Sequence, residues 1–408
     1  TLRVGLNRGG GTIPAGGFPN GSGYTHYQWR LDGGAWSAET PIASAINLNN
    51  LSAGPHYVEV IGKNDAGLYQ NDPVLGPDAT ITRSRTWTVS PGAPSLRLNE
   101  LLASNDSAYS HEGKTPDLIE LYNAGASALS LAGIRLTDDA ADPNKFIFPA
   151  GASIPAGGYL IVHADNPDGT SGYHTGFNLS MEGGAVYLFG SAGNGGALID
   201  GVAFGIQLTD RSIGRLADGA WALCQPSFGG SNAAAPTSDP RGLKINEWLA
   251  LGWTQFPDDF VELYNPTALP AALGGLFLTD NPVGWVKRHE IAPLTFIDRF
   301  GYVVFRADGN TGAGADHLNF ALAAEQGQIG LADANGGIID RIVYGPQQED
   351  VSQGRSPNGA NAFALFNTPT PGAPNLLGGG VSTNITTLSY TLLSYTNEWR
   401  YNQTEDLS

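Results

Sequence analysis

The amino-acid sequence contains an internal repeat of about 140 residues, and this duplication limits the folds that the chain can adopt. Asp117–Asn123 reads Asp-Leu-Ile-Glu-Leu-Tyr-Asn, and residues 259–265 read Asp-Phe-Val-Glu-Leu-Tyr-Asn, 142 positions later. An Asn-Glu pair at residues 99–100 recurs at residues 246–247, 147 positions later, so one loop is five residues shorter in the second copy. Two copies of this length predict two domains that share one fold.

The similarity between the two copies extends over most of their length. Further matching segments are Leu-Thr-Asp at 136–138 and 278–280, Gly-Tyr with three apolar residues at 158–162 and 301–305, His-x-x-Phe at 174–177 and 317–320, an aspartate at 200 and 340, and Ser-x-Gly-Arg at 212–215 and 352–355. Both copies alternate short apolar runs with glycine-rich turns, and neither has the periodicity of a long helix. The sequence therefore predicts an all-β fold class with one β-sandwich per copy.

These motifs together resemble the lamin tail domain, an immunoglobulin-like β-sandwich. The resemblance covers residues of about 95–233 and 242–376, and it implies tandem immunoglobulin-like β-sandwiches at residues 93–236 and 240–376. Residues 371–375 carry the closing Pro-Gly-x-x-Asn of the family, whereas the first copy has Gly-Gly-Ser-Asn at 229–232. The resemblance of the first copy to the family therefore does not extend to its last turn.

A separate module is predicted at residues 1–92, where the sequence pattern changes. The segment 27–32 leads through Gly33-Gly34 to Trp36, which predicts a β-hairpin, and residues 56–62 alternate as a strand does. Trp29 and Trp87 are expected to be core residues. This segment is similar to the fibronectin type III or immunoglobulin-like modules of bacterial surface and secreted proteins.

Residues 377–408 begin with a glycine-rich joint and continue with β-branched and aromatic residues. They resemble the opening strand of a galactose-binding-like jelly-roll domain. A lone strand must pair, either with its own chain or with another copy by strand exchange, which would build a homopolymeric filament. The candidate strand-exchange residues are Ile385, Leu388, Tyr390, Leu392 and Tyr395.

Composition and charge narrow the classes of partner. The formal net charge of −17 disfavours nucleic acid as a partner, and the lack of a stretch of 18 apolar residues argues against membrane insertion. Cys224 is the single cysteine, so no disulfide can form within the chain. Met181 is the single methionine, so we expect Thr1 to follow a removed signal peptide or an upstream segment. An extracellular or cell-surface location is predicted.

No sequence motif for a catalytic triad, a phosphate loop or a zinc site is present, and the chain is predicted to be non-enzymatic and without a required cofactor. One constellation recurs in both copies, because Asp165 and Asp308 each precede a histidine by nine residues. A calcium site that uses Asp165, Asp168 and Asp308 is one interpretation. The alternative, a turn-capping aspartate beside a packed histidine, is favoured because Asp168 has no acidic counterpart in the second copy.

Two other sets of residues have competing interpretations. The paired carboxylates Glu100, Glu120, Glu247 and Glu262 recur in both copies, which favours a structural role over acid–base chemistry. Trp248, Trp253 and Trp285 are candidate aromatics for sugar stacking or for a protein interface, but burial is the favoured interpretation.

The predicted function is therefore that of a non-catalytic structural or adhesive module array of an extracellular bacterial protein. Its partners are expected to be proteins, either itself or other surface proteins, or glycans. The alternative is that these are accessory or carbohydrate-binding domains of a larger secreted hydrolase or nuclease, since lamin tail domains are associated with such enzymes. The nuclear role of animal lamins is not implied, because the chain has no heptad region and no basic run.

Overall fold

The computed structural model describes residues 24–376, except for 43, 45, 47, 49, 50, 53, 65, 66, 70–80, 85, 90–94 and 168. Within these residues the regular structure consists of β-strands and two three-residue 3-10 helices, Ala192–Asn194 and Pro240–Gly242. The predicted all-β fold class is confirmed. No described helix is long and apolar enough to cross a membrane.

The described part of the N-terminal module contains six strands. They are β1 (Tyr24–Leu31), β2 (Thr40–Pro41), β3 (Gly54–His56), β4 (Val58–Asn64), β5 (Thr82–Arg83) and β6 (Trp87–Val89). One sheet has the order β2-β1-β4-β5, and β3 pairs with β6. Tyr24, Tyr27, Val58 and Val60 form a small buried cluster, and Trp29 packs against it.

The predicted hairpin in this module forms with a different turn. Its left-handed residues are Asp32 (φ 51°) and Gly33 (φ 73°), and the strand partner begins only at Thr40. The Asp32 carboxylate accepts hydrogen bonds from the backbone N–H of Tyr57 (2.8 Å) and contacts His56 Nδ1 (2.6 Å). Because these contacts hold Asp32 in the left-handed region, the turn starts one residue before the Gly-Gly pair.

Eleven strands form the first sandwich, residues 95–235. They are β7 (Leu96–Leu102), β8 (Asp117–Asn123), β9 (Leu129–Ser130), β10 (Arg135–Thr137), β11 (Phe146–Ile147), β12 (Ser153–Ile154), β13 (Tyr159–Ala164), β14 (Gly184–Phe189), β15 (Leu198–Phe204), β16 (Ser212–Arg215) and β17 (Trp221–Cys224). Their sheets have the orders β13-β8-β7-β16-β17, β11-β10-β14-β15 and β12-β9. The main apolar core of this sandwich is formed by inward-facing residues of these sheets.

The second sandwich, residues 236–376, has the same strand order. Its strands are β18 (Lys244–Leu249), β19 (Phe260–Tyr264), β20 (Ala271–Ala272), β21 (Phe277–Thr279), β22 (His289–Glu290), β23 (Phe296–Ile297), β24 (Tyr302–Arg306), β25 (Gly327–Ala332), β26 (Ile338–Tyr344), β27 (Ser352–Arg355) and β28 (Phe363–Phe366). The sheets are β24-β19-β18-β27-β28, β22-β21-β25-β26 and β20-β23. Every named strand pair in both sandwiches is antiparallel, as in an immunoglobulin-like fold.

Strand β8 departs from the expected alternation between a buried and a solvated face. Leu118, Ile119, Glu120 and Leu121 are all fully buried. The outer face is covered because the segment that follows β17 folds back over it, and the backbone N–H of Gly229 reaches Glu120. A period-two pattern identified the strand but could not show that both of its faces are buried.

Candidate functional site

The paired glutamates lie opposite each other at a β-bulge in each sandwich. Glu100 on β7 is in register with Glu120 on β8, and the ladder shifts at the preceding residue, Asn99. Glu247 on β18 and Glu262 on β19 have the same arrangement. The extra residue of a bulge turns neighbouring side chains to one face of the sheet. Two carboxylates and one asparagine therefore project together beneath the closing segment of each sandwich.

In the first sandwich the closing segment is bound to both carboxylates. Ser212 Oγ donates to Glu100 Oε1 (2.5 Å), which also accepts the backbone N–H of Ser227 (2.9 Å). Asn99 Nδ2 donates to Glu120 Oε2 (2.7 Å), and the N–H of Gly229 donates to Glu120 Oε1 (2.5 Å).

The second sandwich reproduces this network. Glu247 accepts hydrogen bonds from the Ser352 hydroxyl and from the backbone N–H of Thr370 (3.0 Å). Glu262 accepts from Asn246 Nδ2 (2.9 Å) and from the N–H of Gly372 (2.7 Å). Recurrence of the whole network in both sandwiches is the arrangement expected of a structural clamp.

The closing asparagine completes each clamp and explains the glycine of the Ser-x-Gly-Arg turn. Asn375 Nδ2 donates to the backbone oxygens of Asn246 (3.2 Å) and Arg355 (2.9 Å). A Cβ atom on Gly354 would lie 2.6 Å from both the Asn246 oxygen and Asn375 Nδ2, so no side chain fits there. Asn232 makes the equivalent contacts in the first sandwich. The altered closing motif of the first copy thus keeps the same hydrogen bonds as the closing motif of the second copy.

Burial sets the electrostatics of these carboxylates. Desolvation raises the pKa of Glu120 to about 7 and that of Glu262 to about 8. The hydrogen bonds from neighbouring N–H groups act in the opposite direction, but desolvation is the larger effect. Desolvation also raises the pKa of Glu100. A raised pKa in a cleft can mark an acid–base catalyst, but here every one of these carboxylates is fully covered by protein. The geometry supports the structural interpretation of the four glutamates.

A partly buried ion pair between the matched aspartate and the arginine of the Ser-x-Gly-Arg turn joins the two sheets of each sandwich. Arg215 Nη2 contacts both oxygens of Asp200 (2.8 and 2.6 Å), and Asp200 also accepts the backbone N–H of Leu98 (2.9 Å). Arg355 and Asp340 form the same pair, with contacts of 3.1 and 2.9 Å. Each pair joins an edge strand of one sheet to the other sheet. Its role is therefore to stabilise the sandwich, not to bind a ligand.

The two recurring Asp–His constellations are hydrogen-bonded pairs. His174 Nδ1 lies 2.6 Å from Asp165 Oδ1, and His317 Nδ1 lies 2.7 Å from Asp308 Oδ2. Burial would lower the pKa of His174, but the hydrogen bond and charge of Asp165 outweigh it, so the pKa is raised. Burial likewise acts to raise the pKa of Asp308, and the N–H of Asn310 together with His317 lowers it overall.

Geometric support for the calcium interpretation is lacking in the described part of the chain. Asp165 and Asp308 belong to different sandwiches, and each pairs with a histidine instead of a second carboxylate. No group of three histidine, cysteine, aspartate or glutamate side chains suited to a metal ion occurs among the described residues. Asp168 lies outside them.

Two of the three candidate tryptophans are not free aromatic surfaces. Trp248 is 1% exposed and packs against Tyr344 and Phe363, so its proposed role as an exposed aromatic is wrong. It lies on β18, where both faces are covered. Trp285 is half-buried, with the guanidinium of Arg288 5.1 Å from its ring centre. The sequence could not distinguish these positions, because apolar character alone does not fix the facing direction in a strand covered on both sides.

Trp253 is the exposed member, at 73% of its full surface, and it stands on a constrained loop. The Asp350 carboxylate accepts the backbone N–H groups of Trp253 (2.9 Å), Thr254 (3.0 Å) and Gln255 (3.2 Å). These hydrogen bonds lower the pKa of Asp350. Asp350 has φ 55°, a left-handed conformation that aspartate tolerates. The loop is therefore fixed before any ligand binds.

The first sandwich uses the same arrangement on a loop whose aromatic residue, Tyr109, is half-buried. Asp210 (φ 58°) accepts the N–H groups of Asp106, Ser107 and Ala108 at 2.8 to 3.0 Å. The Ser107 hydroxyl and these N–H groups lower the pKa of Asp210 to about 2. Sequence comparison of the two copies could have found this pair, since Asp210 and Asp350 each stand two residues before a matched serine.

A reciprocal contact joins the two sandwiches. Gly205 donates its N–H to the backbone oxygen of Pro293 (2.8 Å), and Phe296 donates its N–H to the oxygen of Ile206 (2.9 Å). Phe296 is buried in the core of the first sandwich, whereas Ile206 packs against the core of the second. The sequence did not predict this contact, which makes the apolar core continuous between the first and the second sandwich. The predicted strand-exchange residues, Ile385 to Tyr395, lie outside the described residues.

Comparison with known proteins identifies one part of the chain. A family model described as Lamin Tail Domain matches residues 90–205. No curated protein matches the chain. Among solved structures, a crystal structure of a DUF4876 family protein from Bacteroides thetaiotaomicron is 11% identical, with 53% of this chain and 93% of that chain covered and a TM-score of 0.22. Residues 90–205 thus carry the match to the lamin tail domain, an immunoglobulin-like fold typical of non-catalytic structural or binding modules.

Proposed function

We propose that the two sandwiches are tandem lamin tail domains that act together as a rigid, non-catalytic spacer in an extracellular protein. The observation that carries this proposal is the reciprocal contact in which Phe296 and Ile206 each pack against the core of the other sandwich. Linked domains normally move relative to each other unless their interface is apolar and extensive. Shared burial of this kind favours one fixed angle between the domains, which is what a spacer requires.

The contacts made by the polar residues of each sandwich support the same proposal. The buried glutamates, the Asp–Arg pairs and the Asp–His pairs are all bound to neighbouring residues of their own sandwich. Such side chains stabilise the fold and are not available to a substrate. The extracellular location, the boundaries at residues 93–236 and 240–376, and assembly through residues 377–408 are parts of this proposal that rest on the sequence.

Spin-label distance measurements test the rigidity. Labels on Ala150→Cys and Ala334→Cys, both at exposed positions in different sandwiches, are expected to give one narrow distance distribution. Labels on Ala150→Cys and Ala217→Cys, within the first sandwich, supply the reference width. Cys224 is buried, which raises its pKa to about 11, so it stays unlabelled. An inter-sandwich distribution much broader than the reference would refute the rigid spacer.

The exposed Trp253 favours a second function, glycan binding. A flat aromatic ring held on a fixed loop loses little conformational entropy when a sugar stacks on it. Thr254 and Gln255, both exposed beside it, offer hydrogen-bonding groups for sugar hydroxyls.

Binding of the full chain to a glycan array tests this second function. Trp253→Ala is expected to lower binding about tenfold or more, as the loss of a central aromatic anchor does. Val283→Ala removes another exposed apolar side chain (74%) of the second sandwich and serves as the matched control. Binding that is absent, or equal in Trp253→Ala and the wild type, would eliminate the glycan function.

A further inference from the structure

In each sandwich a similar short segment follows the ninth strand, which is an edge strand, but only one of the two segments is covered. Residues 205–207 read Gly-Ile-Gln and follow β15, whereas residues 345–347 read Gly-Pro-Gln and follow β26, 140 positions later. Gly205 is buried and Gln207 is 3% exposed, because the second sandwich packs on them. Gly345 and Pro346 are exposed.

Internal contacts show that the two segments have the same conformation. Gln207 Nε2 donates to the Gly205 oxygen at 2.8 Å, and Gln347 Nε2 donates to the Gly345 oxygen at 2.8 Å. The backbone N–H of Gln207 donates to Met181, and that of Gln347 donates to the equivalent Ala324. The geometry that receives a neighbour in the first sandwich is therefore present in the second.

The contacts that differ are those made to a neighbouring sandwich. In the first sandwich, the Gly205 N–H donates to Pro293 and Gln207 Nε2 donates to the Leu294 oxygen (2.7 Å). In the second, the N–H of Gly345 donates to no residue in the described part of the chain. Unsatisfied groups on a strand edge are the usual means of capturing another β-segment.

Glycine at position 345 fits the same interpretation. A Cβ atom on Gly205 would overlap Thr295 Oγ1, so the docked neighbour requires glycine at that position. A Cβ atom on Gly345 would meet nothing within 4 Å, and neither glycine has a left-handed φ. Nothing in the described part of the chain therefore requires glycine at position 345, whether through packing or through backbone conformation. A docked turn would require it, as it does at position 205.

We propose that the edge formed by Gly345–Gln347 binds a further β-sandwich module from a partner protein, docked as the second sandwich is docked on the first. The partner would present a turn like residues 293–296, with a carbonyl for the Gly345 N–H and a large apolar residue in place of Phe296. The inference rests on the proposed spacer function and extends it, since the same contact would lengthen the rod.

A second copy of this chain fits the edge less well. Its own Phe296 turn is occupied by its first sandwich, so it could offer only the equivalent turn at residues 149–153. The two turns share a left-handed residue, Gly151 (φ 91°) in the first sandwich and Leu294 (φ 54°) in the second. The turn of the first sandwich, however, has Ser153 at the position of Phe296. Without the apolar side chain, the two backbone hydrogen bonds would lack the burial that stabilises the contact between the sandwiches.

An extended chain tests the inference. A copy of residues 233–376 that carries Gly345→Val is inserted between residues 376 and 377 of the full chain, and hydrogen exchange is followed by mass spectrometry. The valine gives the inserted copy a distinct mass, so the exchange at the original Gly345 is read separately. We expect that amide to exchange about tenfold more slowly, or slower still, than in the natural chain. Phe296→Ser in the inserted copy, which mimics Ser153, is expected to restore fast exchange.

Each other outcome would overturn the inference. Equal exchange in the natural and extended chains would mean that the edge accepts no sandwich. Slow exchange in the dilute natural chain would mean that its own residues cover the edge, and exchange that slows with concentration would identify a second copy as the occupant. If the spin-label distance distribution between the two sandwiches is narrow but the Gly345 amide of the extended chain still exchanges fast, this inference is refuted while the spacer proposal is retained.

Discussion

Between about pH 6.5 and pH 8.5, the free energy of unfolding is expected to fall by about 2 to 3 kcal/mol. The pKa of Glu262 in the folded protein is about 8 and that of Glu120 is about 7, both above the value of 4.5 that an unfolded glutamate has. The folded state therefore binds protons more tightly than the unfolded state. Its extra stability is complete below the unfolded pKa and is lost as the pH rises through the folded pKa values.

Urea unfolding at several pH values measures this loss, and a substitution assigns it. Glu262→Gln cannot titrate, so the fall in stability is expected to shrink by about 2 kcal/mol. The amide nitrogen at this position must face one of the two donors, Asn246 Nδ2 or the Gly372 N–H, so the absolute stability will also change, and the slope is the quantity to compare. The exposed Glu349→Gln is the control and should keep the wild-type slope. An unchanged slope in Glu262→Gln would show that Glu262 is ionised throughout this range. The raised pKa of His174 adds to the fall equally in all three proteins.

Local sequence patterns were sufficient to predict several of the strands. Asp117–Asn123 forms β8 as predicted, and the apolar run from Tyr159 begins β13. These segments have strong period-two or β-branched patterns bounded by turn residues, which act over a few residues along the chain. The turn at Asp32 was misplaced by one residue because the Asp32 carboxylate accepts a hydrogen bond from the backbone N–H of Tyr57, 25 residues away. The strand predictions therefore succeed where the determining interactions are local.

The candidate site depends on contacts that the sequence pattern does not contain. Trp248 and Trp253 stand five residues apart in one apolar segment, and only the fold shows that one is in the core while the other is exposed. Glu120 and Glu262 were correctly interpreted as structural from their duplication, but their partners Gly229 and Gly372 lie about 110 residues away. Interactions across such separations are set by topology, which local propensity does not encode.

Valine at position 205 is expected to separate the two sandwiches, whereas valine at position 345 is expected to have little effect. The added side chain at 205 would overlap Thr295 Oγ1 and would lie 3.1 Å from Ala292 Cβ already at its first carbon. Relief of this overlap breaks the hydrogen bond from the Gly205 N–H to the Pro293 oxygen and withdraws Phe296 from the core of the first sandwich. Overpacking together with the lost apolar burial is expected to lower the free energy of unfolding by about 3 kcal/mol or more.

The matched pair of variants separates docking from local effects. Both glycines follow an edge strand in the same conformation, so the change in backbone propensity from Gly205→Val and Gly345→Val is nearly the same. Calorimetry should show one shared transition for the two sandwiches in the wild type and in Gly345→Val, and two transitions in Gly205→Val. Gly345→Val should stay within about 0.5 kcal/mol of the wild type. If Gly205→Val also unfolds in a single transition of wild-type stability, the reciprocal contact does not couple the sandwiches. The rigid spacer would then lose its physical basis, since the shared burial of Phe296 and Ile206 is what holds the domains at one angle.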